Sequence, residues 1–186
     1  ILDMRMDVSQ ELSAKEVIND YGYEELLKIF YEYAEESNSK KIAEKIVNNR
    51  PIQTTNELAS VIESSLPRQN PKFTKSTVRK IFQAVRIEVN NEISEIIESL
   101  DTVKNFIKSN GIMVFLSYHS IEDRTVKQFI EKETKGCTCD PKLAICICEN
   151  VPLFKLGKYK KRKPSNNEIK KNPRSKSAVL RFMVKI

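Results

Sequence analysis

Between residues 13 and 100 the apolar positions recur with the period of an α-helix. Leu26, Leu27, Phe30 and Tyr33 fall on one face, as do Ile42, Ile46 and Val47, and then Leu58, Val61 and Ile62. Ser13-x-x-Glu16 and Thr54-x-x-Glu57 mark two helix starts. In each, the hydroxyl can accept an N–H of the first turn while the carboxylate reaches back to the cap. From about Thr77 a longer stripe runs through Ile81, Val85, Val89, Ile93, Ile96, Ile97 and Leu100. It predicts a core-facing helix, broken at most once, with its charged side in water.

The period changes after Asn110-Gly111, a turn signal. Ile112 to Leu116 is an unbroken apolar run of strand length, which predicts a strand covered on both faces. Ser120 is the expected cap of the next helix, with Asp123 in its first turn and Val126, Phe129 and Ile130 as its buried stripe to about Glu131. Ala178, Leu180, Phe182, Val184 and Ile186 alternate as a terminal strand. Two strands so far apart, with one helix between, do not complete a sheet. The second part therefore reads as the end of a larger α/β domain.

Charge sharpens this division. Residues 1–100 hold 13 basic and 17 acidic side chains, and residues 101–186 hold 19 and 8, within a total of +7. The second part is suited to a polyanion, and the boundary is expected near Asp101 to Gly111. The four glycines, Gly22, Gly111, Gly136 and Gly157, are too scattered for any glycine-rich phosphate loop. No apolar run approaches the ~20 residues of a membrane span, so no membrane association is expected. The start of the chain has no secretory signal pattern and no initiator Met. The expectation is a cytoplasmic fragment whose four cysteines stay reduced.

Four segments together point to a family: Leu2-Asp3-Met4-Arg5-Met6-Asp7, Phe82-Gln83-Ala84-Val85-Arg86-Ile87-Glu88-Val89-Asn90-Asn91-Glu92, Ser117-Tyr118-His119-Ser120-Ile121-Glu122-Asp123-Arg124, and Asn172-Pro173-Arg174-Ser175-Lys176-Ser177-Ala178. In order and spacing they resemble the MraW-type (RsmH) methyltransferases. That family uses S-adenosylmethionine (SAM) to methylate the exocyclic N4 of a cytidine in 16S rRNA of the small ribosomal subunit. The resemblance implies an α/β, SAM-dependent methyltransferase (Rossmann-like) fold with a helical insertion domain. Residues 1–9 would link from a preceding half, 10–100 form the insertion, and 101–186 supply the last strands with a Cys loop and a basic band. The family's glycine-rich SAM loop, ribose-binding acid and base-facing loop precede the first segment, and none is present here. The SAM site is therefore expected mostly outside this chain, in roughly one hundred further residues. No cofactor-binding residue is assigned. A homodimer is left open, and the rival reading is a non-catalytic RNA-binding or ribosome-associated module.

Ligands of open α/β sheets lie beyond the carboxyl ends of the strands, where Ser117, His119 and Ser120 are the candidate catalytic residues. Methyl transfer to an amine needs acceptors that aim its lone pair, and a base. The alternative is that His119 bonds backbone and Ser120 caps a helix. Arg124 either pairs with Asp123 or reaches a phosphate. Arg86 and Asn90, four apart on one helical face, are candidate substrate contacts or ties between the insertion and the sheet. Asn172, Arg174 and Ser175 join Lys155, Lys158, Lys160, Lys161, Arg162, Lys163, Lys170 and Lys171 in a basic band.

Cys137-x-Cys139 and Cys146-x-Cys148 are read as reduced loop cysteines, with zinc as the alternative. Structural zinc sites usually space their cysteines by two to four residues, and C-x-C strains the bite on one metal. No metal ligand is assigned.

If the basic band binds RNA, log affinity falls with log salt by about 0.7 for each phosphate neutralised on a single strand. A filter-binding series over a range of salt concentrations measures the slope, and a flat response would remove the band from the interface.

Overall fold

Ser13 starts the first helix as its spacing predicts. Its Oγ accepts the Lys15 N–H at 3.2 Å and its own N–H donates to Glu16 Oε2 at 2.9 Å. The box at Thr54 forms likewise, with Glu57 N–H on Thr54 Oγ1 at 3.2 Å and Thr54 N–H on Glu57 Oε2 at 3.0 Å. The computed structural model describes residues 1–67, 71–137, 139, 148, 151–157 and 161–186. They divide into two units, Ile1–Glu92 and Ile93–Ile186.

The first unit is helical: α1 (Ala14–Asp20), α2 (Tyr23–Glu32), α3 (Ser39–Asn48), α4 (Thr55–Ser65) and α5 (Pro71–Val89). The long α5 packs against α1, α2 and α4, while α3 packs against α2 and α4. The predicted stripes fill one core, in which Ile18, Leu26, Phe30, Ile42, Leu58, Ile62, Ile81 and Val85 are fully buried. Leu2, from the segment expected to be a link, is buried in the same core, and its N–H donates to Gln53 O at 3.2 Å.

The long stripe breaks at Asn90-Asn91. Asn91 takes a left-handed φ of 48°, a conformation asparagine tolerates better than most residues, and α6 (Glu92–Val103) starts anew. The units divide there, ahead of the expected boundary at Asp101 to Gly111. The core-facing expectation holds for α5 and is corrected for α6, which has no buried residue. Within its own unit α6 reaches the core only through the partly buried Leu100.

In the second unit β1 (Ile112–Ser117) leads to α7 (Ser120–Thr134), β2 (Phe154–Leu156), α8 (Asn166–Lys171) and β3 (Val179–Lys185). The sheet order is β1-β3-β2, with both pairings antiparallel; Val114 stands opposite Phe182, and Lys155 opposite Val184. The last strand is thus central. Asn110 turns the chain into β1 with φ 63°. At Gly111 a Cβ would lie 2.7 Å from both the Lys108 carbonyl and the Ile107 side chain, so only glycine fits.

Met113, Phe115, Phe154 and Met183 pack against Val126, Phe129 and Ile130 of α7, with Phe115 and Phe129 edge to face at 6.3 Å between centroids. This overturns the expectation that β1 is covered on both faces. Ile112, Val114 and Leu116 are 59%, 61% and 55% exposed. Opposite them Val184, Phe182 and Leu180 share that face by register, so the inward residue of β3 is Met183. An antiparallel sheet with one helix layer buries one face, and among the described residues α7 is the helix that packs on all three strands.

The helix cap is corrected as well. His119, rather than Ser120, occupies the N-cap of α7, its Nδ1 accepting the Glu122 N–H at 3.3 Å. Ser120 is the first helical residue and is exposed.

Asp123, in the first turn of α7, accepts from two guanidinium nitrogens of Arg181 on β3, Nε and Nη2, at 2.7 and 2.9 Å, with Lys161 at 3.8 Å. The Arg181 hydrogen bonds hold the Asp123 carboxyl below its ordinary pKa. A depressed folded-state pKa stabilises above the unfolded value near ~4 and ceases to do so as pH falls through the folded value. Asp123→Asn is expected to lower stability by about 1–2 kcal/mol at neutral pH. The deficit should shrink below pH ~4, as measured by urea denaturation across pH; a pH-independent deficit would mean that the charge is not what stabilises.

Candidate functional site

At the carboxyl end of β1 the chain passes from the buried Ser117 through Tyr118 to the cap of α7. Glu122, three residues after the cap, folds back: Oε2 accepts the Tyr118 N–H at 2.9 Å, and Oε1 lies 3.0 Å from His119 Nε2. Nδ1 is already an acceptor, so a neutral ring carries its proton on Nε2. Nε2 is buried, with that carboxylate oxygen 3.0 Å away. Burial pushes the Glu122 carboxyl up, but the His119 ring and the Tyr118 N–H outweigh it, and the net shift is downward. Glu122 is therefore an anion at neutral pH, held beside the imidazole Nε2.

Ser117 and Glu122 also line a cleft of about 390 Å³, whose apolar wall includes Ile96, Leu100, Phe115 and Val126. A small cleft with a few converging polar groups at a strand's carboxyl end is an ordinary ligand-site geometry. Of the three candidate catalytic residues, Ser117 and His119 flank this turn, and Ser120 begins the helix on the exposed side. Glu122 was not among the candidates; its spacing of three from His119 is the capping-box signal that could have found it.

The remaining candidates separate into ties and exposed cations. Asn90 spends its amide on backbone: Nδ2 donates to Met4 O at 2.9 Å and Arg86 O at 2.8 Å, and Oδ1 accepts the Met6 N–H at 2.7 Å. It holds the first family-like segment against the second. Arg86 makes a two-pronged pair with Glu92, at 2.7 and 3.0 Å. Met4, Phe82, Gln83 and Arg86 line a second groove, of about 620 Å³, in the helical unit.

In the other unit Asn172 Oδ1 accepts the Arg174 N–H at 3.2 Å, and the buried Ser175 donates its hydroxyl to Asn172 O at 2.8 Å. These two shape the 3₁₀ turn Pro173–Ser177 that feeds β3. Register places Ser117, the first residue of the third segment, opposite Val179, the residue that follows the fourth. Arg124 and Arg174 are exposed, as are Lys155, Lys161, Arg162, Lys163, Lys170 and Lys171 of the band. Lys158, Lys160 and Cys146 lie outside the described residues. The structure missed by sequence reasoning is the Asp123–Arg181 pair, whose partners stand 58 residues apart.

Comparison with known proteins bears on the whole chain. It is 40% identical over 185 residues to the ribosomal RNA small subunit methyltransferase H of Dehalococcoides mccartyi, covering all of this chain and 52% of that protein. Identity is 42% over 188 residues with the protein of the same name from Caldicellulosiruptor saccharolyticus, and 40% over 188 with that from Clostridioides difficile, covering 61% and 60% of them. The chain thus spans between half and two thirds of the length of these relatives. The MraW methylase family model matches residues 1–186, and with these identities the chain belongs to that family.

Proposed function

We propose that this chain serves in the SAM-dependent methylation of the exocyclic N4 of a cytidine in 16S rRNA, and that its residues form an RNA-facing wall of the site. The family match over the full 186 residues carries the reading. The relatives' name supplies the substrate class, ribosomal RNA of the small subunit. In this reading Ile1–Glu92 corresponds to the helical insertion. The β1-β3-β2 sheet corresponds to the last strands of the Rossmann-like methyltransferase fold.

SAM would supply an electrophilic methyl group. The described residues do not fit it. Gly22 caps α2 and Gly111 is closed in by Lys108 and Ile107. At Gly157 the Phe182 ring already fills the space a Cβ would take, at 2.0 Å. None opens a cradle for a nucleotide, so no residue is assigned to the donor and no step is routed through it.

What these residues do is hold the amine. The Glu122 carboxylate is an acceptor for an amine hydrogen, which turns the nitrogen lone pair toward an incoming electrophile. His119 Nε2–H is the donor beside it, suited to a base oxygen or ring nitrogen. With its proton on Nε2, His119 positions rather than removes a proton. Ser117, with Glu95 and Ser99 of α6, adds further polar groups at the cleft. Arg124 and Arg174 supply phosphate contacts, with the rest of the band as a diffuse attraction. Asn90, Asn172 and Ser175 act through the backbone they hold. The second reading is an RNA-binding module without catalysis, and the exposed cations of the band favour it.

His119→Asn separates positioning from capping, because asparagine is a good N-cap and lacks the ring. In the native enzyme it is expected to lower methylation of small subunits by about a hundredfold at unchanged RNA affinity and melting temperature. His119→Ala should lose stability as well. Full activity in His119→Asn would leave the residue a cap only, and a native enzyme with no SAM-dependent methylation would favour the binding module.

A further inference from the structure

Between α7 and β2 the chain leaves and returns at one place. A side chain at Gly136 would meet the Pro152 ring at 3.7 Å, ordinary contact distance. Three cysteine sulfurs gather in the stretch so closed. Sγ of Cys137, Cys139 and Cys148 all lie within 4.8 Å of one another, and Cys148 Sγ is 3.8 Å from Cys137 Sγ. A disulfide would bring two sulfurs to ~2.05 Å, and none of the three is in one.

Zinc binds thiolate sulfur at about 2.3 Å in a tetrahedron, whose edges then measure about 3.8 Å. The Cys137–Cys148 separation equals that edge, and the third sulfur needs to close by about 1 Å at most to complete the face. We propose that Cys137, Cys139 and Cys148 form the thiolate face of a structural zinc site that fastens the loop between α7 and β2. The family match and the proposed methylation do not require it. The C-x-C spacing argued against zinc in the sequence because of its bite. Bite is a distance between sulfurs: those of Cys137 and Cys139 lie within 4.8 Å of each other, and Cys148 joins Cys137 from 11 residues away. Three soft thiolates select zinc over the hard cations magnesium and calcium. The site is defined by the three described sulfurs, and Cys146 lies outside the described residues.

A zinc ion here would cross-link the loop that joins α7 to the basic band. The three thiolates fill three of the four tetrahedral positions of zinc, and the fourth falls to water or a further ligand.

The test is metal analysis of the full-length protein, purified reduced and without chelator. About one zinc per chain is expected, falling below about a tenth of an equivalent in Cys137→Ser/Cys148→Ser. The helical circular dichroism should persist in that variant, since the first unit has its own core. Cobalt(II) added to the stripped wild type should give the intense absorption of tetrahedral thiolate coordination, and that absorption should be lost in the variant. Three results would overturn the proposal: wild type without zinc and without the cobalt signal, zinc retained in full by the variant, or Cys137 and Cys148 recovered as a disulfide from reduced, metal-supplemented protein. If the variant does not fold, the wild-type cobalt spectrum decides alone.

Discussion

The ion pair between Asp123 and Arg181 is the constraint on which the second unit depends. It joins the first turn of α7 to the central strand, with two guanidinium nitrogens engaged and both side chains mostly withdrawn from water. Burial of Val126, Phe129 and Ile130 holds the helix on the sheet, yet apolar contact is non-directional and tolerates sliding along the strands. A planar fork on a carboxylate fixes translation and rotation together. Just upstream of Asp123, the turn that presents Ser117, His119 and Glu122 has its position set as a consequence. Asp123 and Glu122 are neighbours with opposite tasks: one faces the sheet and is neutralised by arginine, the other faces the turn and stays an acceptor.

Periodicity made the helical elements legible and was less informative for the sheet. The capping boxes at Ser13 and Thr54 formed as their spacing required, and the stripes of α2 to α5 became the first core. A run such as Ile112 to Leu116 has no polar position to mark an open face, so it cannot distinguish a strand buried on two sides from one buried on one. The same holds for β3, where Leu180, Phe182 and Val184 alternate correctly but Met183, between them, is the residue that turns inward. The α6 stripe was misleading for a related reason: apolar spacing shows that a helix has a face to cover, and does not show that its own unit covers it.

The candidate site was partly legible, because its chemistry is local and its support is not. Ser117 and His119 were visible at the end of an apolar run. Assigning the cap to Ser120 followed hydroxyl preference at N-caps, whereas the backbone gave the place to the imidazole, and with it the choice of ring tautomer. Asn90 could have been a base reader or a tie. Only the positions of Met4 and Met6, more than eighty residues away in sequence, show all of its amide spent. The cysteines illustrate the same limit, since their spacing argued one way and the distance between sulfurs argues the other.

Electrostatics joins these observations. The second part of the chain carries 19 bases and 8 acids, and several of the described acids pair with bases of helix and strand. Glu133 and Asp101 share Lys104 at 2.8 and 2.7 Å, Asp123 takes Arg181, and Glu131 faces Lys127 at 3.5 Å. Asp123 also reaches the band, at Lys161, and Glu168 is the one acid within residues 155–176, so bases there still outnumber acids. The surplus positive charge is therefore expressed where the chain enters β3, next to the carboxyl end of β1. In the proposed reading, a polyanion drawn to that surface arrives at the turn holding His119 and Glu122, so the attraction that raises encounter rates and the groups assigned to orient an amine lie at one end of the same sheet.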